Sequence, residues 1–68
     1  MDQSVFDNAP DWVRWFAVDK DGHGFWHQEK PAIDGNEWLM PKGHYSVGFF
    51  EIFDLTGIDW RETLTERK

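Results

Sequence analysis

The sequence lacks cysteine, contains only three prolines and has no long apolar run. Without cysteine, the chain can form neither disulfide bonds nor a thiolate-ligated zinc site, and the absence fits a reducing intracellular setting. No run approaches the roughly 18 apolar residues of a membrane-spanning helix, and the first residues lack the basic and apolar regions of a secretory signal. We therefore predict a cytoplasmic protein with no membrane partner.

Positive charge is also scarce, because 7 lysines and arginines stand against 13 acidic residues, for a net charge of −6 with neutral histidines. Such a charge repels phosphate backbones, so we expect no direct nucleic-acid binding, even though aromatic sheets can stack unpaired bases. An acidic surplus can serve solubility alone. It can also imitate a run of phosphates and occupy the basic groove of a nucleic-acid-binding protein.

Aromatic residues are abundant: five Trp, six Phe and one Tyr make up 18% of the 68 residues. A single domain of this length, here residues 1–68, buries only about 60% of its unfolded surface, so it needs dense packing. Each ring buries on the order of 150–250 Å², and most of the rings are expected in the core. We expect about two to four to remain partly exposed, where such rings typically anchor a protein partner.

Turn signals divide the chain into strands. The first ten residues are predicted to form a flexible polar arm, with at most one helical turn. Residues 11–19 and 24–30 are rich in aromatic and β-branched residues and flank Asp21-Gly22, a strong hairpin signal. If these two residues form the loop, Val18 faces Phe25 and Phe16 faces His27 across the hairpin.

The second half predicts two more strands and a helix. Residues 37–40 follow a loop at 34–36, and residues 45–53, the most hydrophobic stretch, are expected to form a central strand. Within it, Gly48 predicts a bulge or the close approach of a ring from a neighbouring strand. Residues 59–64 begin like a capped short helix, with an extended tail as the alternative. The fold class is therefore mainly β, a small antiparallel sheet of about four strands with a short C-terminal helix.

No motif predicts catalysis or metal binding. Asp19-Lys20-Asp21-Gly22 resembles part of a calcium loop, but the first and last ligand positions fall on Ala17 and Gln28, so a hairpin turn is favoured. His23 and His27 stand about 13 Å apart along one strand, too far to share an ion. No nucleophile elbow or phosphate loop is present. We expect no enzyme activity, and no catalytic, cofactor-binding or metal-binding residues.

The order of the aromatic and turn motifs resembles a known group. The segments that carry the resemblance are Asp11-Trp12-Val13-Arg14-Trp15-Phe16-Ala17-Val18-Asp19-Lys20-Asp21-Gly22, Trp26, Lys30-Pro31, Trp38 and Asp59-Trp60-Arg61-Glu62-Thr63-Leu64. This pattern is similar to that of small accessory proteins encoded by phages and prophages. The resemblance implies an accessory role inside a bacterium and assigns no catalytic or binding residue.

These observations lead to one functional hypothesis and one alternative. The hypothesis is a phage-type accessory protein that binds and inhibits a host protein with a basic surface, such as a nucleic-acid-handling or defence complex, through an acidic and aromatic surface that imitates DNA. The alternative is a self-associating structural module, with surplus rings meeting in a homodimer. The candidate partner-binding residues are Trp12, Trp15, Trp38, Tyr45, Asp11, Asp19, Asp21, Asp34 and Glu37.

Overall fold

The computed structural model describes the backbone of residues 1–68 and the side chains of residues 1–48 and 52–68. The strands, in chain order, are β1 (Trp15–Val18), β2 (His23–His27), β3 (Ala32–Asp34), β4 (Glu37–Leu39), β5 (Ser46–Ile52) and β6 (Thr65–Glu66). Two short 3₁₀ helices span Gln3–Phe6 and Trp60–Glu62. One antiparallel sheet has the order β5-β2-β1-β6, and β3 pairs with β4 separately. The predicted mainly β class with a four-stranded antiparallel sheet is confirmed.

The C-terminal segment contains less helix than the sequence predicts. Asp59 caps it as expected, because its Oδ1 accepts the Arg61 N–H at 3.0 Å, but only one 3₁₀ turn follows. The chain then pairs with β1 as β6. A three-residue turn followed by sheet pairing provides the tertiary contacts that a short isolated helix would lack.

The β1–β2 hairpin has a different register from the predicted one. Trp15 faces His27 and Phe16 faces Trp26, one residue away from the expected pairing. The loop is longer than two residues, because the Asp19 N–H donates to the His23 carbonyl at 2.9 Å and Gly22 takes a φ of +92°. This is the three-residue loop in which a left-handed glycine follows a type I turn. A one-residue shift changes the side-chain faces, so Phe16 and His27 lie on opposite faces of the sheet.

One face of the sheet carries the main core. Phe16 and Val18 are fully buried there and pack with Val13 and Phe6. Phe6 comes from the first 3₁₀ helix, so the N-terminal segment that was expected to be a flexible polar arm contributes a core side chain that is 5% exposed. The Trp26 indole N–H donates to the Val5 carbonyl at 2.8 Å and ties this segment to β2. The polar composition of residues 1–10 gives no sign of this packing.

The predicted central strand, residues 45–53, lies at the edge of the sheet as β5 and pairs with β2. The expectation for Gly48 is confirmed, because a Cβ there would stand 3.1 Å from the Phe25 ring. The register of β5 against β2 also shifts between His23 and Phe25. Hydrophobicity alone predicted a central position, but β6 and the N-terminal segment occupy the far side of β1, and nothing in the composition signals this order.

Thr63 joins the C-terminal turn to the sheet and is fully buried. Its hydroxyl oxygen accepts the Val18 N–H at 2.8 Å and lies 2.7 Å from the Trp60 carbonyl, to which it donates. The hydroxyl therefore satisfies a strand N–H that no neighbouring strand reaches.

We predict that Thr63→Val lowers the free energy of unfolding by about 1–3 kcal/mol, because the buried Val18 N–H loses its acceptor while the side-chain volume is preserved. Urea unfolding followed by tryptophan fluorescence measures the change. Thr63→Ser keeps the hydroxyl and is the control; equal loss in both variants would assign the effect to packing rather than to the hydrogen bond.

Candidate protein-binding surface

The tips of the two hairpins meet at one end of the molecule. The β3–β4 hairpin turns at Gly35, whose φ of +63° suits a two-residue loop with glycine first. The Lys20 N–H, in the β1–β2 loop, donates to the Asn36 carbonyl at 3.0 Å. This backbone hydrogen bond fixes the two loops against each other.

Asp19 and Trp38 link the same two hairpins below the tips. The Asp19 Oδ1 atom accepts the Trp38 backbone N–H at 2.8 Å, and the Trp38 indole N–H donates to the Val18 carbonyl at 3.0 Å. Trp38 also packs edge-to-face against Trp60, with ring centroids 6.2 Å apart. Each side chain is only 8% exposed. Asp19 and Trp38 are both candidate partner-binding residues; the structure buries them and places both in the contact that joins the two hairpins.

The loops nevertheless gather carboxylates. We call the group Asp19, Asp21, Asp34 and Glu37 the acidic end. An open cleft of about 460 Å³ lies here, lined by Asp19, Lys20, Asp21, Asn36 and Glu37. Asp21, Asp34 and Glu37 are exposed, so the acidic end brings together three of the predicted carboxylates in a position to meet a partner.

Within the acidic end, the pKa values of the Asp19 and Asp21 carboxyls are shifted in opposite directions. Burial raises the pKa of the Asp19 carboxyl; the Trp38 N–H lowers it, and nearby Asp21 and Glu37 raise it further. The His23 backbone N–H lowers the pKa of Asp21, and the His23 ring adds to this from 2.8 Å. Asp34 and Glu37 face each other directly across β3–β4. Among the described residues, neither forms an ion pair with a cation.

The exposed rings lie at the other end of the β1–β2 hairpin. Trp12 and Tyr45 have ring centroids 6.3 Å apart at 59°, and together with Gln28 and Ser46 they line a shallow pocket of about 360 Å³. Tyr45 is 69% exposed, whereas Trp12 is half-buried against the core. We call this pocket the aromatic end. Asp11, the remaining predicted carboxylate, is exposed next to Trp12 in the chain and does not join the acidic end.

Trp15, the last predicted ring, belongs to neither end. It is half-buried on the second face of the sheet, and the Lys30 ammonium lies 5.6 Å from the centre of its ring. The sequence hypothesis combined rings and carboxylates in one surface. The structure separates them, because the strands of the hairpin carry its loop and its open end in opposite directions.

Several exposed aliphatic side chains were missed by the sequence reasoning. Ile33 and Leu39 on the β3–β4 hairpin are each 44% exposed, and Val47 and Ile52 on β5 are 42% and 57% exposed. The candidate partner-binding residues were all aromatic or acidic and included no aliphatic side chain. Their only signal in the sequence is the short length of the β3–β4 hairpin and the hydrophobicity of β5, which predicted a central strand instead.

His27 is the one buried titratable ring in the described part of the chain, at 1% exposure. It shares its face of the sheet with Trp15, Ala17 and Phe25. Among the described residues, neither ring nitrogen has a hydrogen-bond partner. Burial lowers the pKa of His27 from 6.5 to about 4, so the ring is neutral at pH 7.

No group of histidine and carboxylate side chains in residues 1–48 and 52–68 is arranged to hold a metal ion. In the same residues, no helix is both long enough and apolar enough to cross a membrane. Comparison with known proteins finds no matching family model, no matching curated protein and no matching solved structure.

We predict that acidification destabilises the protein through His27. Between pH 6.5 and about 4 the unfolded state binds more protons at this site than the folded state, so the free energy of unfolding falls as the pH falls. From about pH 7 to about pH 5 the loss is about 2 kcal/mol. Urea unfolding at both pH values measures it. His27→Leu should remove this part of the pH dependence, and an unchanged pH dependence in the variant would contradict the assignment.

Proposed function

We propose that the chain is a phage-type accessory protein that binds and inhibits a host protein with a basic surface, one that handles nucleic acid or belongs to a defence complex. In this proposal the acidic end takes the place of a phosphate backbone in the basic groove of the host protein. The aromatic end, at the other end of the hairpin, is not part of this contact.

The observation that carries the proposal is the pair Asp34 and Glu37. Like charges directly opposite each other on neighbouring strands destabilise a hairpin, by a fraction of a kcal/mol for an exposed pair. Neutral polar residues would fit the same exposed positions without that repulsion. A surface that keeps an unfavourable pair of negative charges is suited to a partner that brings positive charge.

The way the acidic end is held also supports the proposal. Three of its four carboxylates sit on the short side chain of aspartate, and the two hairpin tips that carry them are joined by the Lys20–Asn36 backbone hydrogen bond and by the Asp19–Trp38 contact. Short side chains on a fixed backbone lose little conformational freedom on binding. Lys20 adds one positive charge at the cleft, fewer than the negative charges around it. The net charge of −6 would further speed the encounter with a basic partner.

We predict that Asp34→Asn combined with Glu37→Gln weakens partner binding at least about 10-fold and leaves the fold as stable or more stable, by about 0.5 kcal/mol. The wild-type chain, immobilised, is exposed to bacterial lysate at low and at about 0.5 M salt. A captured protein is then purified, and its affinity for the wild-type chain and for the variant is measured. Each of the two chains is also titrated into the captured protein bound to a labelled oligonucleotide, to measure competition.

The control carries the same charge change elsewhere: Asp7→Asn combined with Glu62→Gln, both at exposed positions outside the acidic end. The control should bind and compete like the wild type. Equal binding by the Asp34/Glu37 variant, or a partner whose oligonucleotide binding is unaffected, would contradict the proposal. So would the absence of any partner at either salt.

A further inference from the structure

The outer edge of β5 is uncovered. Every residue from 41 to 48 is exposed, which includes the first residues of the stretch that was predicted to form a central strand. The side chains of Tyr45, Val47 and Ile52 are 69%, 42% and 57% exposed. A long, hydrophobic edge strand of this kind is a template for pairing with another strand.

The hydrogen-bonding pattern shows which backbone groups are free. The Gln28 N–H donates to the Tyr45 carbonyl at 2.9 Å, and Trp26 faces Val47 two residues further along. In an antiparallel pair, alternate residues point their N–H and C=O groups towards the neighbouring strand. Tyr45 and Val47 therefore point theirs at β2, and Ser46 and Gly48 point theirs away from the sheet.

The opposite edge of the same sheet is closed. The Gln3 side-chain amide donates to the Glu66 carbonyl and accepts the Lys68 N–H, both at 2.9 Å, as a neighbouring strand would. The N-terminal amine also donates to the Thr65 hydroxyl at 3.2 Å. The chain thus protects its short β6 edge with side-chain contacts and leaves the longer β5 edge without such protection in the described residues.

We propose that β5 pairs with β5 of a second copy of this chain, antiparallel and about a two-fold axis. In such a pair, Ser46 and Gly48 of one copy hydrogen-bond to Gly48 and Ser46 of the other, and the two Val47 side chains face each other. The surface is self-complementary, as a two-fold interface requires. It extends the four-stranded sheet to eight strands and brings the exposed Val47 side chains of the two copies into contact.

Charge complementarity between the ends of two copies favours the antiparallel orientation. The last residue of β5 faces His23, and the Phe53 N–H donates to the Gly22 carbonyl at 2.8 Å, so the C-terminal end of β5 lies beside the acidic end. The N-terminal end of β5 carries Tyr45 and follows Lys42. Antiparallel pairing places the acidic end of each copy beside the aromatic end of the other, whereas parallel pairing would bring two acidic ends together. It also brings Lys42 of each copy towards Asp54 of the other.

The first test removes the outward hydrogen bond. Ser46→Pro deletes an N–H that points away from the sheet and leaves the β2–β5 bonds intact, and proline is tolerated at an edge strand. Two such bonds are lost per dimer, so we expect dimerisation to weaken about 30-fold in sedimentation velocity across a concentration series. Ser46→Ala keeps the N–H and should dimerise within about 3-fold of the wild type.

The second test exchanges charges across the two-fold axis. Lys42→Glu alone and Asp54→Lys alone each place like charges together in a homodimer, and both should shift towards monomer. Mixed in equal amounts, they should form a heterodimer, in which both contacts are attractive again. Because Asp54 also accepts hydrogen bonds from the Thr56 N–H and hydroxyl, near-ultraviolet circular dichroism is used to check that each variant is folded.

A wild-type chain that stays monomeric at millimolar concentration would overturn the proposal. Equal weakening in Ser46→Pro and Ser46→Ala would also overturn it, because the backbone N–H would then have no role. A dimer that survives both charge variants and forms no preferred heterodimer would overturn the antiparallel arrangement. None of these measurements involves the Asp34/Glu37 variant, so failure of the dimer leaves the proposed host interaction separately testable.

Discussion

The contact between Asp19 and Trp38 positions the acidic end of this protein. A single carboxylate oxygen accepts the backbone N–H of a residue 19 positions later, while the indole of that residue donates back to the strand that carries the carboxylate. The two hairpins are thereby fixed with their loops side by side, and the Lys20–Asn36 hydrogen bond completes the junction. The acidic end exists because of this arrangement: without it, Asp21 would be separated from Asp34 and Glu37, which lie more than a dozen positions further along the chain.

A second constraint is the shortage of interior in so small a chain. The core face accommodates Phe6, Val13, Phe16 and Val18 at 5% exposure or less. The other face buries His27 without a hydrogen-bond partner in the described residues, which is an expensive use of a polar ring. Filling both faces of the β1–β2 hairpin leaves β5 with an exposed edge and partly exposed side chains. The aromatic surplus inferred from composition therefore reaches the surface at Tyr45 and Trp12, while aliphatic residues form much of the remaining apolar surface.

The two proposals concern different parts of the molecule. The acidic end lies at the tips of the two hairpins, carries carboxylates and suits a basic partner. The β5 edge is formed by backbone and suits another strand. If both hold, the dimer presents two acidic ends at opposite extremes of an eight-stranded sheet. Such a dimer could engage two basic sites at once, with a gain in apparent affinity that depends on their spacing.

Local chemistry made much of the fold predictable. Aromatic and β-branched runs with turn residues between them fixed the mainly β class, and the hairpin at Asp21-Gly22 followed from the need for a left-handed glycine. The close approach of a ring to Gly48 was also predictable, because a missing side chain leaves space for a neighbour. The number of residues in the hairpin loop was not predictable from the sequence. The strand register was therefore wrong as well, because a single extra loop residue moves every side chain of one strand to the other face.

Burial and position in the sheet were decided by tertiary structure alone. Asp19 and Asp21 are chemically identical and two positions apart, yet one is buried under Trp38 and the other is exposed beside His23. Trp38 and Tyr45 are both aromatic candidates, and they stand at 8% and 69% exposure. The sequence by itself determined the charge, the strand-forming segments and the absence of cysteine chemistry, because these depend on residue type and near neighbours. Only the folded chain decided which carboxylates and rings meet, because that depends on contacts between segments far apart in the sequence.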